Sequence, residues 1–261
     1  MKVIGSAAKT VFYLKKIQGQ YPSWKIQYKI KCKSTEDELT NLLGYSEIKR
    51  NQPVAIIAKE QSSGFGQNSK TWVSPRGGIW LSAAYPIFSK EFTSQLFNLS
   101  IGIKICEMLR RENINVCLKW PNDIFFGSKK LIGFLPRVIT RGKEIIYVRI
   151  GLGMNVVNYT PSEGISLSKV LQTKNINQYY WTAKVLKAFH DSVECNNKKE
   201  YVITSANNFL TKKFLPSGFC PNAWKIKDID LNGDLRIENE TQIKVIICRF
   251  DHIFFFVITF N

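Results

Sequence analysis

The stretch LKWPNDIFFGSKKLIG, residues 118–133, sets Lys119, Asn122, Asp123, Lys129 and Lys130 among apolar residues that otherwise read as two strands around a Gly127-Ser128 turn. Lysines neutralise phosphate oxygens, and an aspartate can hold a magnesium ion that arrives with a nucleoside triphosphate. Pro121 keeps the chain out of helical geometry, so Asn122 and Asp123 can leave the strand edge. Lys130 opens an apolar strand; its ammonium either snorkels to the surface or enters a polar cavity. The competing reading is a solvated hairpin whose charges form exposed pairs worth well under ~1 kcal/mol each. A second polar segment, 61–78, lies between two candidate buried strands and carries Gly64, Gly66, Gly77 and Gly78. It reads as a long loop, and long ordered loops are often functional. Gly64-Phe65-Gly66 lets backbone N–H groups approach an anion, although a lone G-x-G is weak evidence. Taken alone, the residues leave both readings open.

The elements that must position these groups are legible in part. Residues 1–30 give little beyond Trp24, Ile26, Tyr28 and Ile30, whose alternation predicts a first strand. Thr35-Glu36-Asp37-Glu38 has the form of a capping box before Leu39, Leu42 and Leu43, with Gly44 as a stop. VAIIA (54–58) and IWLSAAYPI (79–87) read as buried strands. Leu96, Leu99, Ile103 and Cys106 share one face of a helix over 94–111. Residues 144–157 predict a strand running into a glycine-rich exit, and 181–195 and 200–213 predict helices. LPSGFCPNA (215–223) reads as a linker. Beyond it the period becomes two, with Asn232-Gly233 between alternating runs, the strongest short hairpin signal. IKVIIC and HIFFFVI supply further strands, so a unit of about 40 residues, all β and in the form of a small barrel, is expected at the C-terminus.

Composition narrows the classes. A chain of 261 residues with 44% hydrophobic content can bury a substantial core. The net charge of +17 suits a basic surface that attracts acidic partners. The lysines are scattered in short pairs rather than gathered in an arm or recognition helix, which argues against nucleic acid. The cysteines, at 32, 106, 117, 195, 220 and 248, form no C-x-x-C pair, and His190 and His252 are far apart. Zinc-finger spacing is absent, a disulfide framework is not expected, and a reducing, cytoplasmic setting fits. No apolar run of membrane-spanning length occurs, and VIGSAA is too weak for a secretory signal.

The combined pattern resembles biotin–protein ligases, in the short form without a DNA-binding domain. Ser34-Thr35-Glu36 resembles the family's S-T-N, and Gln61 through Pro75 is similar to Q-x-x-G-R-G-R-x-G-R-x-W-x-S-P. Lys119-Trp120-Pro121-Asn122-Asp123 matches K-W-P-N-D, Lys129 through Gly133 is similar to K-K-L-x-G-I, and Gly151 through Asn155 resembles G-x-G-x-N. The resemblance implies an α/β (α+β) fold: a mixed β-sheet flanked by helices, of the class II synthetase-like biotin/lipoate ligase type, with a small C-terminal SH3-like β-barrel. It implies an N-terminal extension at 1–25, a catalytic domain at 26–213 and the SH3-like unit at 214–261. The implied activity joins biotin to ATP as biotinyl-5′-AMP, with Mg²⁺, and passes biotin to a lysine of the biotin carboxyl carrier protein of acetyl-CoA carboxylase. The implied catalytic residue is Lys130, beside the biotin carboxylate. The implied biotin wall is Ser34, Thr35, Glu36, Gln61, Gly64, Phe65, Gly66 and Gln67. Lys70, Trp72, Lys119, Asn122, Asp123 and Asn155 would serve the nucleotide, with Asp123 also at the metal. No nucleic-acid or membrane partner is implied, and pairing of sheet edges leaves a homodimer open. Lipoate–protein ligase is the nearest rival, and a non-catalytic biotin- or carrier-binding protein the next.

The chain departs from the pattern at the glycine loop. Arginine positions carry Phe65, Gln67 and Lys70, and a glycine has become Ser69. Backbone donors survive, but most of the charge-assisted contacts to phosphate do not. Looser retention of biotinyl-AMP is the expectation. Glu36 in place of Asn exchanges a donor-acceptor for an acceptor-only group.

Overall fold

A computed structural model describes residues 6–17, 23–44, 52–66, 71–88, 92, 94–142, 144–248 and 255–260. Helix α1 (Ser6–Ile17) leads into strand β1 (Lys25–Lys29), helix α2 (Thr35–Gly44) and strand β2 (Val54–Ala58). Strands β3 (Gln61–Phe65), β4 (Thr71–Ser74) and β5 (Ile79–Pro86) precede the long helix α3 (Ser94–Arg110). Strands β6 (Cys117–Lys119), β7 (Asp123–Phe126), β8 (Lys129–Arg141) and β9 (Glu144–Met154) follow, then helices α4 (Leu167–Val170), α5 (Gln178–Glu194) and α6 (Lys199–Phe209). Strands β10 (Lys225–Ile229), β11 (Leu235–Glu238), β12 (Ile243–Cys248) and β13 (Phe255–Phe260) close the chain.

The main sheet has seven strands in the order β1-β2-β5-β9-β8-β7-β6. β1 and β2 run parallel and every other pairing is antiparallel, so the sheet is mixed as expected. Alternation sorts its side chains onto two faces. Ala55, Ile57, Leu81 and Ala83 join the large core built with α3 and α5, where Ile101, Ile103, Leu186 and Phe189 are buried. Val54, Ile56, Ala84 and Tyr147 face the other way and pack a smaller core with Leu39 of α2. The functional groups gather on this second face.

Two sequence expectations are corrected. The segment 61–78 is not a plain loop: β3 and β4 pair antiparallel, with Gly64 opposite Trp72 and Phe65 opposite Thr71. Its polar side chains hold it together, so apolar alternation gave no sign of it. Residues 67–70 lie outside the described residues. The cap of α2 is Ser34, one residue ahead of the expected Thr35: Ser34 Oγ accepts the Glu36 N–H at 3.1 Å. Thr35 is thereby released from capping and turned toward β3.

Helix α1 had no counterpart in the sequence reading. It packs on α5, where Asn177 Nδ2 donates to Tyr13 Oη at 2.7 Å and Leu14 enters the core. Asn177 also caps α5 by accepting from the N–H groups of Tyr179 and Tyr180. The C-terminal strands form an antiparallel sheet in the order β10-β11-β12-β13. Its Asn232-Gly233 turn reaches the main body, where Trp120 Nε1 donates to Gly233 O at 3.1 Å. Asn207 on α6 clasps the Ile229 backbone in both directions, at 2.8 and 2.9 Å. Cys32, Cys106 and Cys195 are buried free thiols, Cys117 is half-buried and Cys220 is exposed.

Candidate active site

A cavity of about 320 Å³ opens above the middle of the main sheet, between the start of α2 and the β3–β4 pair. Its floor comes from β5, β8 and β9, whose register sets Ser82 beside Gly151 and Gly151 beside Leu135. Gly153 lies two residues along β9 from Gly151 and pairs with Gly133. Two groups of side chains stand on that floor, about 7 Å apart along the strand direction by the rise of a β-strand.

The first group is a directional hydrogen-bond chain. Ser82 Oγ donates to Thr35 Oγ1 at 2.8 Å. Thr35 donates to Gln61 Oε1 from both Oγ1, at 2.9 Å, and its backbone N–H, at 2.8 Å. Gln61 Nε2 donates to Ser74 Oγ at 2.8 Å, and Ser74 Oγ to Trp72 O at 3.0 Å. The Gln61 amide is therefore fixed in one orientation, with its second N–H uncommitted. Gly64 backs this chain: a Cβ there would meet Ser74 Oγ and Trp72 O at 2.6 Å. Glu36, 8% exposed, completes the group. Arg149 Nη2 approaches Glu36 Oε2 at 2.7 Å and Glu36 O at 3.1 Å, while Arg149 Nη1 reaches Thr40 Oγ1 at 3.1 Å.

The second group surrounds Lys130. Its ammonium lies 2.6 Å from Asp123 Oδ1 and 4.8 Å from the centre of the Trp72 ring. Lys130 and Asp123 thus form an ion pair at the cavity wall. Trp72 lies flat on the paired glycines: a Cβ on Gly153 would sit 2.5 Å from its indole nitrogen, and one on Gly133 2.8 Å from its Cζ3. Lys119 also lines the cavity, its ammonium 5.3 and 5.6 Å from the ring centres of Phe125 and Phe214.

Of the expected site residues, Ser34, Thr35, Glu36, Gln61, Phe65, Gly66, Trp72, Lys119, Asn122, Asp123 and Lys130 line this cavity. Asn122 does so while buried, its Nδ2 donating to Phe134 O at 2.6 Å, which ties β7 to β8. Gly64 stands behind the wall. Asn155 does not line the cavity; its Oδ1 accepts from Asn158 Nδ2 at 2.9 Å and its N–H donates to Leu131 O at 3.1 Å. Gln67 and Lys70 lie outside the described residues. Ser82 and Arg149 escaped the sequence reading, and Ser74 entered it only as a position of the W-x-S-P match without a role. A serine inside the apolar run IWLSAAYPI was the available signal for Ser82; nothing local marks Arg149.

Buried polar atoms are normally hydrogen-bonded. Here Glu36 Oε1 and Trp72 Nε1 are buried without hydrogen-bond partners, Asp123 Oδ1 is buried against the Lys130 ammonium alone, and all three residues border one cavity. Such a cluster is suited to an elongated ligand with a polar ring at the Thr35 end and an anionic group at the Lys130 end. Among the described residues no three His, Cys, Asp or Glu side chains come together as a metal site. A lone carboxylate such as Asp123 does not build a metal cage from protein alone.

Comparison with known proteins gives a consistent picture. Residues 29–155 match the model of the Biotin/lipoate A/B protein ligase family. The bifunctional ligase/repressor BirA of Escherichia coli is 29% identical over 153 residues, covering 58% of this chain and 46% of BirA. BirA of Bacillus subtilis is 32% identical over 110 residues, covering 41% of this chain and 34% of that protein. The chain thus spans less than half the length of these curated relatives. The solved structure of biotin protein ligase from Aquifex aeolicus, in complex with biotin and ATP, superimposes with a TM-score of 0.68 at 22% identity, covering 85% of this chain and 95% of that one. The Leishmania major biotin protein ligase in complex with biotinyl-5-AMP gives 0.56 at 21% identity, covering 85% and 98%. At these identities the structures show a shared fold.

Proposed function

From the match of residues 29–155 to the model of the Biotin/lipoate A/B protein ligase family, we propose that this chain is an ATP-dependent biotin–protein ligase. The observation that carries the reading is the convergence of the Thr35–Gln61 chain and the Lys130–Asp123 pair on one cavity. The named relatives and the ligands of the Aquifex aeolicus structure point the same way.

In this reading a biotin carboxylate oxygen attacks the α-phosphorus of ATP. The bond to the pyrophosphate oxygen breaks, and biotinyl-5′-AMP forms. The neutral amine of a carrier lysine then attacks the acyl carbon, an amide forms, AMP departs and the amine loses a proton. No protein nucleophile is needed. Ser34, Thr35 and Gln61 hold the ureido ring, whose polar atoms would otherwise be left unpaired at ~1–3 kcal/mol each. Lys130 exchanges Asp123 for the carboxylate and then for the bridging phosphate, placing a fixed cation where negative charge develops. Magnesium, when bound with the triphosphate, neutralises its oxygens, and Asp123 is the residue to touch it. Lys119 and Asn122 flank the triphosphate, and Trp72 offers a ring face to the adenine. Phe65 and Gly66, which line the cavity, flank the intermediate. The catalytic unit is 26–213, with 1–25 as an extension and 214–261 as an SH3-like unit. The carrier is the biotin carboxyl carrier protein of acetyl-CoA carboxylase and the setting is cytoplasmic. No helix among the described residues is long and apolar enough to cross a membrane.

Substrate competition tests this. With ATP, Mg²⁺ and a carrier domain, biotin is expected to be transferred and lipoate not to compete at equal concentration. Preferential lipoate transfer would move the chain to the rival activity. Binding of biotin without any adenylate would leave a binding protein.

A further inference from the structure

Two lysines line the cavity, and their surroundings differ. Lys130 is paired with Asp123. Lys119 stands opposite Asp123 in the β6–β7 register, yet among the described residues its ammonium has no carboxylate partner. It lies instead 5.3 Å from the ring centre of Phe125 and 5.6 Å from that of Phe214. The two rings are 4.9 Å apart and inclined at 46°, so one cation meets both. A carboxylate would hold this ammonium and cancel its charge. Aromatic rings hold it through their quadrupoles and leave the charge whole.

Phe125 reaches this place by alternation: it follows Asp123 by two on β7 and shares its face. Phe214 arrives from far along the chain. After α6, Leu210 bridges to Leu118 in parallel sense, and the Thr211 N–H donates to Leu118 O at 2.9 Å. This short segment covers the outer side of β6, the last strand of the main sheet, and brings the half-buried Phe214 to the Lys119 ammonium. Neither ring lines the cavity, so each acts on a ligand only through the lysine.

We propose that Phe214 is a positioning residue: with Phe125 it holds Lys119 at the cavity as an un-neutralised cation, set for the triphosphate of ATP. The inference rests on the ligase reading and adds to it a residue beyond the matched segment 29–155. A lysine side chain free in water loses rotamer freedom when it meets a phosphate, and one already held by two rings loses less.

The test replaces Phe214 by monofluorinated and then trifluorinated phenylalanine, which weakens the ring quadrupole at nearly constant shape. The ligand is an ATP analogue with a methylene group between the α- and β-phosphorus atoms, so that no adenylate forms. It is titrated with Mg²⁺ into the full chain by calorimetry. The analogue should bind more weakly at each step, by about 2- to 30-fold in total, the range of one cation–π contact. Biotin affinity should stay the same. In Lys119→Met, which keeps a long side chain without the charge, the fluorinated rings should make no further difference, because the coupled partner is gone. Altered packing around Phe214 would act whether or not Lys119 is charged. Nucleotide affinity indifferent to fluorination, a fluorination effect that persists in Lys119→Met, or an equal fall in biotin affinity would overturn the inference while leaving the ligase reading standing. Failure of the unaltered protein to bind the analogue at all would overturn the ligase reading, and this inference with it.

Discussion

At the scale of single residues, the Thr35–Gln61 pair and the glycine loop carry opposite predictions. Gln61 Oε1 accepts from two Thr35 donors, so Gln61→Ala removes that acceptor as well as the proposed ligand contact. It should weaken biotin binding by about 1–3 kcal/mol, a 5- to 150-fold rise in Kd by calorimetry. An unchanged Kd would place the ring elsewhere. In the glycine loop the prediction is a gain. Phe65→Arg with Gln67→Arg restores charge-assisted donors and should slow release of biotinyl-AMP about tenfold or more, measured by trapping the free adenylate. Release as fast as in the unaltered protein would show that Lys70 or Arg76 already does this work. The residues of the hairpin around Gly127 were legible because their chemistry is written contiguously. The Glu36–Arg149 pair joins positions 113 apart, and no local pattern announces such a partnership.

Elements differ in how clearly the sequence declares them, and the reason is physical. Strand β2 buries every position and helix α3 most of its own, so their apolar runs marked them. Strands β3 and β4 bury little apolar surface and depend on Gln61 and Ser74, which belong to turns and loops as readily as to strands. The same polar content that hid this pair makes it a wall of the cavity. Trp72 on β4 is seated by two glycines of the main sheet, and this gives a sharp element-level prediction. Gly153→Ala would drive a methyl group into the indole and should destabilise the protein by about 1–3 kcal/mol, read as a lowered Tm. Its effect on the KM for ATP should exceed its effect on the KM for biotin, because the displaced ring is the one assigned to adenine. Equal effects would separate Trp72 from the nucleotide.

On the scale of the whole molecule, the C-terminal sheet is anchored to the site rather than hung from it. Trp120, between Lys119 and Pro121, donates to Gly233 in its hairpin turn. Trp120→Phe should cost about 0.5–1.5 kcal/mol of stability by denaturant titration, with the loss shared by main body and C-terminal unit in one transition. The Asn232-Gly233 turn was plain in the sequence, but its landing place was not, since docking depends on surfaces assembled from distant segments. Acid stability follows from His190. Burial lowers its pKa against the raising influence of Glu194 and Asp191, and its Nδ1 lies 2.9 Å from Tyr85 Oη. A depressed folded-state pKa means the neutral ring is favoured when folded. Its contribution is therefore present above the ordinary histidine range and is lost as pH falls through the lowered value. His190→Gln should flatten the decline in Tm below about pH 6.5; an unchanged decline would assign it to other groups. The net charge of +17 also bears on the proposed carrier, because steering of an acidic partner weakens as salt screens it.

The central claim is that the cavity adenylates biotin with Lys130 as its fixed cation. Purified chain, biotin, Mg²⁺ and α-labelled ATP, followed for labelled biotinyl-AMP, tests it in one assay, with Lys130→Ala alongside. The account predicts labelled adenylate from the unaltered protein and a loss of at least about 100-fold in Lys130→Ala, the scale of removing one preorganised electrostatic contact. Adenylate formed equally well by both proteins would remove Lys130 from the chemistry, and no adenylate from a protein that binds biotin would contradict the ligase itself.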